Sequence, residues 1–151
     1  MMKYYHQPYI MVVDDDPDDI FILSSSLEDK GVTVKSFQKG EQAIQYLQED
    51  VCHKTMPSLI ILDYNMPGNN GQQMLAWIKS NAGTRQIPVV MYSTHLSADF
   101  QISLKNMGAY DCLVKPNNYS VFKEQVELFK SMAVDNRAEN IHMKEPVQYT
   151  C

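Results

Sequence analysis

Short apolar runs that stop abruptly at polar loops, separated by stretches with apolar residues at helical spacing, organise this chain. The run YIMVV, Tyr9 to Val13, ends in DDDPDD, the pattern of a buried strand meeting a loop. Asp16 can cap a following helix, with Pro17 at its first position and Asp18 and Asp19 in its first turn. Ile20, Leu23 and Leu27 share one face of that helix, and Gly31 closes it. Thr33 to Phe37 alternates as a second strand, and Glu41 to Gln48, with Ala43, Ile44 and Leu47 on one face, predicts a second helix. Ser58 to Leu62 is another apolar run, entering Asp63 and a loop rich in Pro, Gly and Asn before Met74, Leu75 and Ile78 mark a third helix. Pro88 to Tyr92 predicts a fourth strand ending in Ser93, and Ala98 to Met107 a fourth helix of less regular spacing, closed by Gly108. Cys112 to Val114 forms a fifth strand before Lys115 and Pro116, and Phe122, Val126, Phe129 and Ala133 lie on one face of a final helix.

Five strands alternating with five helices predict an α/β fold: a doubly wound, five-stranded parallel sheet with right-handed crossovers and the flavodoxin-like order 2-1-3-4-5. A chain of 151 residues with 44% hydrophobic content fits one such domain. Its expected extent is residues 8–134. The segment 135–151 is polar, contains Pro146, and is expected to be a frayed helical extension or tail too short for an output domain.

Charge and composition exclude several functions. Thirteen Lys and Arg against eighteen Asp and Glu give a net charge of -5 without a basic stripe, so nucleic-acid binding is not expected. No apolar run approaches the ~20 residues that span a bilayer, and the start MMKYYHQPY lacks a signal-peptide stretch, so no membrane association and a cytoplasmic location are expected. Cys52, Cys112 and Cys151 are odd in number and widely spaced, and are expected as reduced thiols. His6, His53 and His142 show no metal-ligand spacing.

The chemistry gathers where strands end. In a doubly wound sheet, ligands bind outside the carboxyl ends near the point where strand order reverses, here between the first and third strands. Those strands end in Asp14, Asp15 and Asp63. Converging carboxylates repel, and a hard divalent cation with oxygen ligands is the natural way to keep them ionised. Mg²⁺ is the candidate, and no other cofactor is indicated. Asp16, Asp18 and Asp19 are accounted for by helix capping and the helix dipole. Asp63 alone could be a turn residue, but its partnership with the first cluster argues otherwise. Ser93 and Lys115, ending the fourth and fifth strands, offer a hydroxyl and a compact cation suited to phosphoryl oxygens.

The segments VVDDDPDD, LIILDYNMPGNNG, PVVMYST and GAYDCLVKP together resemble, in order and spacing, the motifs of the CheY-like receiver domains of bacterial two-component response regulators, over Tyr9 to Ala133. The resemblance implies a stand-alone signalling phosphoacceptor rather than an enzyme with a separate substrate. Asp63 would take a phosphoryl group from a sensor histidine kinase or a histidine phosphotransfer protein. Asp15 and Asp63 would contact Mg²⁺ directly, Asp14 through water, and the backbone carbonyl of Asn65 would complete the protein ligands. Ser93 would bind a phosphoryl oxygen and Lys115 would pair with the group. The resemblance also implies a cis Lys115–Pro116 bond. The fourth helix, fifth strand and fifth helix would form the face for a downstream protein or a second copy of the chain. Cys112 departs from the family by standing where many members carry a switching Tyr or Phe, and neither Tyr92 nor Tyr110 can be assigned to replace it from register alone. Ser93 in place of threonine keeps the hydroxyl, and His95, two residues on, lies near the site as a bystander to it.

Three other readings compete. An aspartyl phosphatase would want an acid two residues after Asp63, where Asn65 stands. A flavodoxin-like cofactor binder needs a hydroxyl- and glycine-rich phosphate loop where this chain places aspartates. A receiver-like interaction module independent of phosphorylation is opposed by the intact set Asp15, Asp63, Ser93 and Lys115.

Overall fold

The computed structural model describes residues 9–53, 56–68 and 70–142, with the side chains of 50–53 and 136–142 outside that description. Its elements alternate as β1 (Tyr9–Val13), α1 (Pro17–Asp29), β2 (Thr33–Phe37), α2 (Gly40–His53), β3 (Leu59–Leu62), α3 (Gly71–Ser80), β4 (Val89–Ser93), α4 (Ala98–Asn106), β5 (Asp111–Val114) and α5 (Tyr119–His142). The five strands form one parallel sheet in the order β2-β1-β3-β4-β5, as the alternation of elements predicts.

The near-continuous apolar runs of β1, β3 and β4 follow from burial on both faces. Met11, Val13, Ile60, Leu62, Val89 and Met91 point into one layer, where α2, α3 and α4 contribute Ala43, Leu47, Met74, Leu75, Ile78 and Leu104. Ile10, Val12, Leu59, Ile61, Val90 and Tyr92 point into the other, against Leu23 and Leu27 of α1 and Val126, Phe129 and Ala133 of α5. Strands β2 and β5 are the edges, and the residues of β2 are exposed or half-buried.

Local chemistry sets the helix ends. The Asp16 carboxylate accepts a hydrogen bond from the backbone N–H of Asp18 at 2.9 Å, with Pro17 in the first turn of α1. Gly31 follows the helix at φ 80°, a left-handed conformation that glycine adopts without strain. Helix α4 buries Leu104 and leaves Phe100 and Ile102 half or more exposed, which is why its apolar spacing is irregular. Two helices exceed their expected lengths: α2 runs to His53 rather than Gln48, and α5 to His142, past Ala133, its last core residue among the described side chains. Residues 143–151, the rest of the expected tail, lie outside the described residues.

The expected cis Lys115–Pro116 bond is not found, since every described peptide bond is trans. The trans form is lower by about 0.5–1 kcal/mol for an X–Pro bond, and the resemblance alone carried the opposite expectation. Cys112 is a free, buried thiol, while the side chains of Cys52 and Cys151 lie outside the description. No described helix is long and apolar enough to cross a membrane.

Candidate functional site

Backbone ladders carry four side chains to one edge of the sheet. The N–H of Asp14 donates to the Phe37 carbonyl at 3.0 Å, that of Asp63 to Val13 at 2.9 Å, and that of Lys115 to Ser93 at 2.9 Å. Each residue therefore sits one step past its strand with its position fixed by the neighbouring strand. Asp14, Asp63 and Ser93 are buried, whereas Asp15 is exposed.

One carboxylate oxygen from each of Asp14, Asp15 and Asp63 lies within 4.8 Å of the other two. Asp14 accepts the backbone N–H of Asp16 on Oδ1 at 2.9 Å and the Lys115 ammonium on Oδ2 at 2.5 Å. Lys115 Nζ also reaches Asp19 Oδ2 at 2.9 Å and Asp63 Oδ2 at 3.5 Å. The other oxygen of Asp63 accepts the backbone N–H of Asn65 at 3.2 Å, and the Asn65 amide donates to Ser93 Oγ at 3.3 Å. The third helix closes on this loop at Gly71, where a Cβ would strike the Asp63 carbonyl oxygen and lie 2.8 Å from Tyr64 Cα.

Electrostatics agree with a cation-binding crevice. Burial pushes the Asp14 carboxyl up to about 6, outweighing the Lys115 and Asp16 hydrogen bonds that favour its charged form, and the neighbouring Asp63 charge adds to the rise. Burial also works against charge on Lys115, but Asp14, Asp19 and Asp63 overcome it and hold the amine above its ordinary range. A single ammonium thus faces more negative charge than it can balance. The donor set of three hard oxygens fits a divalent metal, held by Asp14, Asp15 and Asp63.

Most of the expected constellation is brought together: Asp14, Asp15 and Asp63 in one cluster, Lys115 on two of them, and Ser93 against Asn65. Asn65 takes part through its N–H and its side chain. Asp16 is the expected cap. Asp19 lies in the first turn of α1 as expected and also bonds Lys115, a contact that the sequence does not mark.

Around the site, Cys112 is packed in the core with its Sγ 3.9 Å from the Gln101 carbonyl oxygen. Tyr110 is exposed, whereas Tyr92 is buried, stacks edge-on with Phe129 at 5.4 Å and donates its hydroxyl to Gln125 Oε1 at 2.7 Å. His95 is exposed in the loop after β4. His6 and the side chains of His53 and His142 lie outside the description.

Carboxylates and a lysine meet at the switch point of a 2-1-3-4-5 sheet, where such folds bind ligands, and residues 10–127 match the response regulator receiver domain family. The chain belongs to that family. Its class of function is that of a phosphoacceptor in two-component signalling. It is 30% identical to the protein PilH of Pseudomonas aeruginosa over 107 residues, covering 71% of this chain and 84% of PilH. The phosphorylated cyanobacterial phytochrome response regulator RcpA superposes with a TM-score of 0.76 at 26% identity, covering 85% of this chain and 94% of that one. The Mn²⁺-bound response regulator Rcp1 superposes with a TM-score of 0.71 at 26% identity, covering 82% and 93%. Other relatives are longer: the chain spans 14% of the Pseudomonas syringae sensor protein GacS. A similar receiver thus holds a metal, and this chain has an acidic cluster suited to one.

Proposed function

We propose that Asp63 is the phosphoacceptor, that Asp14, Asp15 and Asp63 with the Asn65 backbone carbonyl hold Mg²⁺, and that Ser93 and Lys115 bind the transferred group. The observation that carries this reading is the meeting of three carboxylate oxygens within 4.8 Å, with Lys115 Nζ 3.5 Å from Asp63. A carboxylate oxygen of Asp63 attacks the phosphorus of a phosphohistidine on a sensor kinase or phosphotransfer protein. A P–O bond forms, the P–N bond breaks, and the electron pair and a proton leave with the imidazole. Mg²⁺, when bound, neutralises charge on the phosphoryl oxygens during transfer. Lys115, already an ammonium beside Asp63, and the Ser93 hydroxyl, 3.3 Å from the Asn65 amide, then bond the new oxygens.

The acyl phosphate is later lost to water by the chain's own chemistry, with no separate substrate turned over. The protein would act in the cytoplasm, where sensor kinases present their phosphohistidines. The face of α4, β5 and α5 suits a downstream protein or a second copy, because Phe100, Ile102, Tyr110, Val114 and Val121 are exposed there.

The test is incubation with Mg²⁺ and acetyl phosphate followed by intact-mass and peptide analysis. One added phosphoryl group, about 80 Da, is expected on Asp63, absent after Asp63→Ala and slowed at limiting Mg²⁺ after Asp15→Ala. Labelling that survives Asp63→Ala would remove Asp63 from its role. A wild-type protein that takes no label would favour the interaction module independent of phosphorylation.

A further inference from the structure

Asp19 stands apart from the other acids that meet Lys115. Its Oδ2 accepts from Lys115 Nζ at 2.9 Å, a shorter contact than the 3.5 Å to Asp63. Yet it is not among the three carboxylates whose oxygens converge for a cation. It lies in the first turn of α1 and is half-exposed, unlike the buried pair Asp14 and Asp63. An ammonium has three N–H donors, and here the three are taken by Asp14, Asp19 and Asp63.

Resting on the phosphoacceptor reading, we infer that Asp19 is a positioning residue that holds Lys115 toward α1 in the resting protein and competes with the phosphoryl group for it. Asp14 and Asp63 would be the residues that a cation bound with Asp15 shares with Lys115. Asp19, which donates nothing to that cluster, keeps its hold. The incoming phosphoryl oxygens must then share the ammonium with Asp19 or displace it, so the carboxylate sets how tightly Lys115 grips the group.

Beryllofluoride, which mimics the phosphoryl group on an aspartate, tests this with ¹⁹F NMR titration of the full chain at saturating Mg²⁺. Asp19→Asn keeps the size of the side chain, removes its charge, and is expected to tighten binding by roughly three- to tenfold, the scale of the net gain from one hydrogen bond at a half-exposed site. Asp19→Glu, which keeps the charge, is expected to stay within about twofold of the wild type. A general loss of negative charge would also favour an anion, so the measurement is repeated with Lys115→Gln. There Asp19→Asn is expected to change nothing, because the competition runs through Lys115. Equal tightening with and without Lys115, or no tightening beside it, overturns the role of Asp19 while leaving the phosphoacceptor intact. Failure of the wild type to bind beryllofluoride overturns both.

Discussion

Tyr92 shows how a single side chain ties the phosphoacceptor edge to the helix packed behind it. Its ring meets Phe129 at 5.4 Å and its hydroxyl donates to Gln125 Oε1 at 2.7 Å, while the Gln125 amide donates to the Val114 carbonyl at 3.1 Å. One residue of α5 is thereby joined to both β4 and β5, beside Ser93 and Lys115. Burial pushes the Tyr92 phenol up to about 12, with the charges of Asp19 and Asp14 adding to the rise and Lys115 opposing it. The raised value means that the folded state favours the protonated phenol. The resulting stability is complete below the ordinary value of 10.0 and is lost as pH climbs through about 12. Tyr92→Phe is therefore expected to cost about 1 kcal/mol in urea unfolding at pH 8, through the lost hydrogen bond. By pH 11 the wild type gives up on the order of 1 kcal/mol that the variant, with no phenol to ionise, keeps. The gap between the two should close there. A gap unchanged across that range would show that the phenol is not shielded. Tyr92 also resolves what register left open in the sequence: it faces inward and Tyr110 outward, and Cys112 is a core residue rather than a movable ring.

At the scale of elements, the loop between β3 and α3 holds Asp63 in place, and Gly71 sets how closely α3 can approach. Its N–H donates to the Tyr64 carbonyl at 3.2 Å, and Asn70 caps the helix by accepting the Gln73 N–H at 3.0 Å. A methyl group at 71 has no room beside the Asp63 and Tyr64 backbone, so Gly71→Ala forces the two segments apart. The expected cost is about 3 kcal/mol, at the upper end for overpacking, with slower labelling of Asp63 even where the protein stays folded. Thermal melts and acetyl phosphate labelling on the same samples measure the two effects. A neutral result in both would mean that the loop yields freely. The elements differ in how legibly the sequence shows them. Strands β1, β3 and β4 are buried on both faces, so their apolar runs stand out, as do the acids that follow β1 and β3. Helix α4 rests on Leu104, and its other apolar residues face outward, so periodicity says little there. The bond of Asp19 to Lys115 joins residues 96 positions apart, and no local pattern separates it from an ordinary first-turn acid.

Across the whole molecule, two apolar layers on either side of one sheet hold five strand ends in register, and that is what makes a site from residues so distant in sequence. Among the residues whose side chains are described, the last buried on α5 are Met132 and Ala133, and the helix itself continues to His142. The extra length was not legible because the residues after Ala133 carry no apolar stripe, and the sequence could be read there as helix or tail alike. The packing predicts that the domain ends before the helix does. A chain stopped after Asp135 loses no described core residue, and its melting temperature is expected to fall by no more than about 4 °C, under 1 kcal/mol for a domain of this size. Beryllofluoride binding should be unchanged, since the site is built from strand ends and the first turn of α1. Differential scanning calorimetry of the two chains checks the first expectation and the ¹⁹F titration the second. A drop of ten degrees or more would show that the end of α5 is part of the domain. Weaker binding with an unchanged melt would place that segment in contact with the signalling edge instead.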